Sequence, residues 1–146
     1  MTFHATAMVV LHLLFAGVWA GAVVFTTYGV LPTVGAGGTD PAALSSLLDR
    51  LRIVSRASAV ALLLTGGAMA GEGYGGGRLF GTVNGWLVLG MLGLWVVLAA
   101  LVEVGTARAE AELEERGQVT GGPVRILQAA SGVGMVLLVI GGVLSG

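Results

Sequence analysis

The chain has no cysteine and no lysine, and only 10% of its 146 residues are charged. The lack of cysteine excludes disulfides, thiolate metal ligands, iron–sulfur clusters and covalently attached c-type haem. A net charge of −1 without a basic surface excludes nucleic acid as a partner. Because the sequence also has no phosphate-binding glycine loop and no Ser/His/Asp set that could meet, the chemistry of soluble enzymes is not expected. Whether the protein is an enzyme at all is left open by these features.

Apolar residues dominate the sequence. They make up 55% of it, and the mean hydropathy of +0.94 is typical of a membrane protein. Uncharged stretches cover residues 1–39, 57–71, 79–102 and 126–146, and one spanning helix needs about 20 mostly apolar residues. The sequence therefore predicts an all-α fold, a single membrane domain forming a four-transmembrane-helix bundle. Its main partner is the lipid bilayer, and its expected location is the cell membrane, as a multi-pass protein. The expected spans are residues 5–31, 53–71, 84–106 and 124–145.

Several helix ends are also marked in the sequence. Pro32, with a glycine-rich turn behind it, is expected to close the first span. Asp40 followed by proline is a typical N-cap, and leucines at helical spacing predict an amphipathic interfacial helix over residues 41–56. The glycines of residues 72–78 predict a loop, and Gly117 is expected to end a polar extension of the third span.

The arginines indicate the orientation. Six lie in the first and third loops with their helical extensions, and one lies on the opposite side of the membrane. The six are Arg50, Arg52, Arg56, Arg108, Arg116 and Arg125, and the seventh is Arg78. Since basic residues collect on the cytoplasmic side, both termini are predicted to lie outside. Arg52 and Arg56 are expected to snorkel from the start of the short second span.

Glycine is abundant, with 26 residues, and many of them recur at small-xxx-small spacing within the predicted spans. Gly17 with Gly21, and Gly67 with Gly71, are two examples. Such spacing lets helix backbones approach closely in lipid, where no hydrophobic force drives association. Packing within the bundle is the simplest interpretation, and the same glycine-rich faces allow a homo-oligomer or a larger membrane complex.

His4 and His12 are the only histidines, and both lie in the first uncharged stretch, residues 1–39. An ionisable side chain inside a membrane is costly, so it is a candidate for a functional site. His4 falls at the outer interface, while His12 lies eight residues further along, about 12 Å deeper. An imidazole at that depth needs partners for two ring nitrogens, which favours a functional role for His12. Both histidines are candidate metal ligands.

The face of the first helix that carries His12 is apolar and aromatic. Its other members are Ala5, Met8, Phe15, Ala16, Trp19 and Val23. Such a face suits a flat macrocycle, and it equally suits ordinary helix packing. Met91 in the third span is predicted to lie level with His12, and Met69 level with His4. His/Met pairs ligate haem iron, and thioethers with imidazole also bind reduced copper, although methionines more often simply fill a core.

The segment from His12 through Trp19 and Gly21 to Leu31-Pro32 resembles the first helix of the CopD-like and HemJ-like small membrane proteins. These families have a helix-one histidine, a Trp-x-Gly pair seven and nine residues later, and a closing proline. Residues 52–66, with Arg52-x-x-x-Arg56 and a later Thr-Gly pair, are similar to their second helix. The likeness covers about the first half of the chain.

Membership would imply a four-helix membrane core that handles haem b, as in HemJ-like protoporphyrinogen oxidases, or copper, as suggested for CopD. By position His12 would be the helix-one ligand, and Arg56 matches the helix-two arginine. The lysine that HemJ-like proteins carry in their third helix has no counterpart here, so protoporphyrinogen oxidase activity is not implied. The propionates of an outward-pointing haem would meet Arg78 or Tyr74, because Arg56 is predicted at the opposite boundary.

Three functional hypotheses follow. The first is a b-type haem protein in which His12 is an axial ligand. The opposite axial position would be filled by Met91, filled by a ligand from a second chain, or open. Such a protein would act in electron transfer or diatomic-gas chemistry. The second is a copper-handling protein using a cluster of outer-half side chains, namely His4, Met8, His12, Met69 and Met91. The third is a cofactor-free accessory subunit or small permease.

Overall fold

The computed structural model describes residues 3–35, 40–74 and 77–145, and their regular structure is entirely helical. The elements are α1 (Phe3–Val24), a π-helical segment (Phe25–Val30), α2 (Leu31–Gly35), α3 (Pro41–Gly73), α4 (Arg78–Gly81), α5 (Val83–Arg116) and α6 (Gly121–Ser145). Four helical stretches are long and apolar enough to cross a membrane. The predicted all-α class and four-transmembrane-helix bundle are therefore confirmed.

The four long helices form a closed ring. Helix α1 packs against α3 and α6, and α5 also packs against α3 and α6. Each long helix thus contacts its neighbours in chain order, and the last contacts the first. It follows that α1 and α5 lie diagonally opposite each other across the bundle interior, as do α3 and α6.

Helix ends follow the local chemistry of the sequence. The side chain of Asp40 accepts a hydrogen bond from the backbone of Ala42, with Pro41 in the first helical position. Helix α5 stops at Gly117, whose φ of 67° is the left-handed conformation that favours glycine. Both ends match the predictions. The predicted turn residues 36–39, and Gly75 with Gly76 of the predicted loop, lie outside the described residues.

Two helices run further than the sequence suggested. The first span does not stop at Pro32. A π-helical segment passes directly into α2, and the proline falls in the first turn of that helix. Its missing backbone N–H costs little there. Helix α3 is continuous over the region of the predicted interfacial helix and second span, and it includes Glu72 and Gly73 of the predicted loop.

The leucine face at the start of α3 is covered by protein. Leu44 and Leu48 are fully buried in a cluster with Ala109 and Leu113 of α5 and Leu127 of α6. The polar extension of α5 and the beginning of α6 meet this face. The amphipathic pattern therefore marks a packing surface within the bundle.

Packing density differs between the two ends of the bundle. We call the half at the N-terminal end of α1 the open half, and the other the closed half. In and next to the closed half, the interior side chains are buried; they include Trp19, Val23, Leu62, Leu98, Val102 and Ala130. Along the same helices in the open half, side chains are only partly buried; they include Met8, His12, Phe15, Met69, Met91, Trp95 and Leu137. Fully buried side chains are thus concentrated in and next to the closed half.

Charged side chains join α3 to α5 in the closed half. Arg52 pairs with Glu110 and also donates to Thr106, and Arg56 forms two hydrogen bonds of 2.7 and 2.9 Å with Glu103. A guanidinium that engages both carboxylate oxygens is held in one orientation. The two arginines expected to snorkel are therefore paired with carboxylates across the helix interface.

Close packing of α5 against α6 depends on the small size of Gly105. A Cβ at this position would lie 2.9 Å from Cδ2 of Leu127 and 3.2 Å from Cγ2 of Ile126. Because Leu127 is fully buried, it has little room to move. We expect Gly105→Ala to lower the free energy of unfolding by about 1–3 kcal/mol, measured by denaturation in detergent micelles.

The matched control is Gly93→Ala on the same helix, where a Cβ meets nothing within 4 Å. Alanine has the higher helix propensity, so this variant should be as stable as the parent or slightly more stable. Equal stabilities of the two variants would contradict the packing argument.

Candidate functional site

His12 lies on the face of α1 that turns toward α3. Its Nδ1 is 2.8 Å from Oγ1 of Thr65, and the side chain is partly buried. The ring also lies against the α3 backbone, since a Cβ on Gly66 would come within 3.0 Å of His12 Cε1. The absence of a side chain at Gly66 therefore makes room for the imidazole. Thr65 and Gly66 together set the position of the ring.

The hydrogen bonds of Thr65 determine which nitrogen of His12 carries the proton. The Thr65 hydroxyl lies 2.8 Å from the carbonyl oxygen of Ala61, which can only accept. Its single proton is used there, so Thr65 Oγ1 accepts from Nδ1–H of His12. The neutral imidazole then presents a lone pair at Nε2. Metal-bound histidines in proteins have this arrangement, in which one ring nitrogen donates to a fixed oxygen and the other is the ligand.

Met91 lies in the same layer as His12. Ala20, Leu98 and Gly134 define a reference level, because a Cβ on Gly134 would be 3.3 Å from Ala20 Cβ and 3.9 Å from Leu98 Cδ2. His12 precedes Ala20 by eight residues, about 12 Å along the axis of α1 toward the open end. Met91 precedes Leu98 by seven residues, about 10 Å along the axis of α5 in the same direction. The two side chains therefore occupy one layer on diagonally opposite helices, α1 and α5.

Two more methionines lie close to His12 in register. Met8 precedes His12 by four residues on α1, and Met69 follows Thr65 by four residues on α3. Residues four apart share a helix face, and α1 and α3 run antiparallel. Both thioethers therefore lie about one helical turn further toward the open end than the bond between His12 and Thr65, and both are partly buried.

Trp19 belongs to the core. It is 1% exposed, and its Nε1 donates a 2.8 Å hydrogen bond to Oγ of Ser55 on α3. The indole therefore packs where the two halves of the bundle meet and holds α1 against α3. It lies two turns deeper than His12 along the same helix face. The structure thus gives this candidate cofactor residue a packing role.

The remaining predicted site residues lie at the open end. His4 is exposed, and its ring centroid is 6.3 Å from that of Phe3. Tyr74 and Arg78 line one open pocket of about 450 Å³, together with the start of α5. Tyr74 is eight residues beyond Gly66 on α3, about 12 Å along the helix axis. The structure brings Tyr74 and Arg78 together, at the end of the bundle beyond His12.

Arg56 is far from these residues. Its guanidinium is paired with Glu103 in the closed half, whereas His12 lies in the open half. The charged cluster on α3 and α5 is therefore separate from the candidate site around His12. This agrees with the expectation that Arg56 lies at the opposite boundary from a haem held by His12.

Sequence reasoning missed Trp95. This residue lies one turn deeper than Met91 on α5, and its Nε1 is buried without a hydrogen-bond partner among the described residues. It packs against the buried core beside Phe15 and Leu137. Its spacing from Leu98 and Val102 follows the helical period and could have placed it on the interior face.

The donor set limits which metals the site can hold. Within residues 3–35, 40–74 and 77–145, no three His, Asp or Glu side chains are grouped as a metal site. The remaining ligands considered for His12 are the nearby thioethers and the ligands that a cofactor itself brings. Haem supplies four ligands of its own and needs one or two from the protein.

The bond between His12 and Thr65 can be tested directly. We expect Thr65→Val to lower the free energy of unfolding by about 0.5–1.5 kcal/mol, because Nδ1–H of His12 loses its acceptor. Thr65→Ser retains the hydroxyl and should cost less. Both are measured by denaturation in detergent micelles. In a His12→Ala background, the difference in unfolding free energy between Thr65→Val and Thr65→Ser should shrink. An unchanged difference would show that the hydrogen bond to His12 is not its cause.

Comparison with protein-family models, curated proteins and solved structures found no match to this chain. Its likeness to the CopD-like and HemJ-like proteins therefore remains a hypothesis from the motif around His12 and Trp19. The geometry of the candidate site centres on one oriented imidazole in the open half.

Proposed function

We propose that the protein binds haem b in the open half of the bundle, with Nε2 of His12 as an axial ligand to the iron. The observation that supports this proposal most directly is the orientation of the His12 ring. Its Nδ1–H is held by Thr65, so the lone pair of Nε2 is available for a metal. Bound haem would give the protein reversible one-electron chemistry, suited to electron transfer or to diatomic-gas and redox chemistry.

The distribution of packing supports a large cofactor in this half. Apart from the buried Thr65, side chains around His12 are only partly buried, whereas those inside the closed half are fully buried. The buried, unpartnered N–H of Trp95 is a further sign, because such donors are rare in a finished core. A flat macrocycle with polar substituents fits these two observations better than a single small ion does.

The other candidate residues have roles in this proposal. Met91 shares the layer of His12 and is the candidate second axial ligand, unless the opposite position is open or filled by a second chain. Arg78 and Tyr74 lie toward the open end, where a guanidinium and a phenol suit haem propionates. In this proposal the protein lies in the cell membrane with both termini outside. Its glycine-rich helix faces allow it to form a homo-oligomer or to join a larger membrane complex.

The optical spectrum tests the haem proposal. Protein purified in detergent from haem-replete cells should show a Soret band, and His12→Ala should abolish it because the axial ligand is lost. His4→Ala is the control and should keep the band, since this exposed residue lies at the rim. A colourless parent protein, or a Soret band that survives His12→Ala, would overturn the proposal.

A second candidate function is copper handling. The register that places Met8 and Met69 one turn from His12 favours it, because two thioethers and an imidazole suit reduced copper. His4 and Met91 would extend such a cluster toward the rim and across the bundle. This function requires no macrocycle, and it predicts a colourless protein.

Elemental analysis distinguishes the copper function. Protein from copper-supplemented cells should carry stoichiometric copper, and replacing Met8 and Met69 with leucine should remove most of it. Met135→Leu is the control, because Met135 is 58% exposed on the outside of α6. Stoichiometric copper that survives the double substitution would exclude the thioether site, and absence of copper would exclude the function.

A further inference from the structure

The indole N–H of Trp95 is a buried donor without an acceptor. Its Nε1 has no hydrogen-bond partner among the described residues, although the atom is shielded from the surface. A buried donor left unpaired destabilises a protein, so native structures rarely keep one without a reason. By contrast, the indole N–H of Trp19, a fully buried residue, has Ser55 as its acceptor. The N–H of Trp95 is therefore a donor for which the described residues supply no acceptor.

The direction of α5 places this donor toward the layer of His12. Trp95 follows Met91 by four residues, about 6 Å deeper along the helix axis. Aromatic side chains on a helix lean toward its N-terminus. Because the N-terminus of α5 is at the open end, the indole of Trp95 leans from its own level toward the layer that holds His12 and Met91.

Met91 itself is engaged with α6. Its methyl carbon is 3.8 Å from the position that a Cβ on Gly141 would take. This contact directs the thioether along the interface of α5 with α6. In this arrangement the side of the site across from His12 is lined by α5 and α6, and its only identified hydrogen-bond donor among the described residues is Trp95.

We propose that the haem position opposite His12 is open to a diatomic gas molecule, and that Nε1–H of Trp95 donates a hydrogen bond to it. This inference rests on the proposed haem function. It assigns Trp95 as a ligand-binding residue and makes the ligand a small molecule with an acceptor atom. It also explains why the indole N–H of Trp95 has no acceptor among the described residues.

The test uses carbon monoxide as a probe of the reduced, haem-loaded full chain in detergent. A hydrogen bond to bound CO weakens the C–O bond, so Trp95→Phe should raise the C–O stretching frequency in the infrared spectrum. The same substitution should speed CO dissociation about 2- to 10-fold, the effect of losing one net hydrogen bond. Phenylalanine retains an aromatic ring and removes the donor, although its side chain is smaller than that of tryptophan.

Trp86→Phe is the matched control. Trp86 lies on the same helix but is 62% exposed, so the substitution should leave the stretch and the dissociation rate unchanged. A second measurement needs no variant: the C–O stretch of the parent protein should shift when H₂O is replaced by D₂O, because the indole proton exchanges. This measurement decides the proposal if Trp95→Phe does not fold.

The possible results distinguish a failure of the Trp95 proposal from a failure of the haem proposal on which it rests. A Soret band without CO binding indicates that both axial positions are filled by the protein and overturns the inference, while haem binding stands. CO binding with a stretch that neither Trp95→Phe nor D₂O changes also overturns it. Absence of any Soret band overturns both proposals together.

Discussion

A polar side chain inside an apolar bundle has no water to bind, so it must find its partner on another part of the protein. This constraint shapes the contact between α1 and α3. Trp19 donates to Ser55, and His12 donates to Thr65 two turns away along the same interface. Each bond joins residues distant in sequence, and together they align the two helices in one register. The orientation of His12, on which the candidate site depends, is a consequence of this pairing.

The same constraint explains the contrast between the two ends of the bundle. In the closed half, leucines, alanines and small hydroxyl residues fill the interior, and the hydroxyl of Ser131 is bonded to Thr27 and to the carbonyl of Leu127. In the open half, His12 keeps a lone pair and Trp95 keeps an unused proton, and the side chains beside them are less buried. The buried hydroxyls of Thr27 and Ser131 in the closed half are thus paired with each other, whereas the open half has an indole N–H for which the described residues supply no partner.

The charged cluster at the closed end has two roles that do not conflict. Its arginines contribute to the excess of basic residues on one side, which indicates the orientation of the protein. In the fold they also pair with carboxylates of α5, as Arg52 does with Glu110 and Arg56 with Glu103. The ion pairs connect α3 to α5 away from the site. The charge pattern predicts the first role, whereas the second depends on how the helices pack.

The sequence by itself determined the four apolar helices, the cap at Asp40, the stop at Gly117 and the presence of an imidazole within a span. These properties follow from composition, spacing and local turn chemistry, which act within a few residues. Only the tertiary structure decided that Thr65 orients His12 and that Trp95 faces the same half of the bundle. Such pairings depend on the order of helices around the ring and on their register, because they join residues more than 50 positions apart. Neither helical period nor hydropathy carries that information.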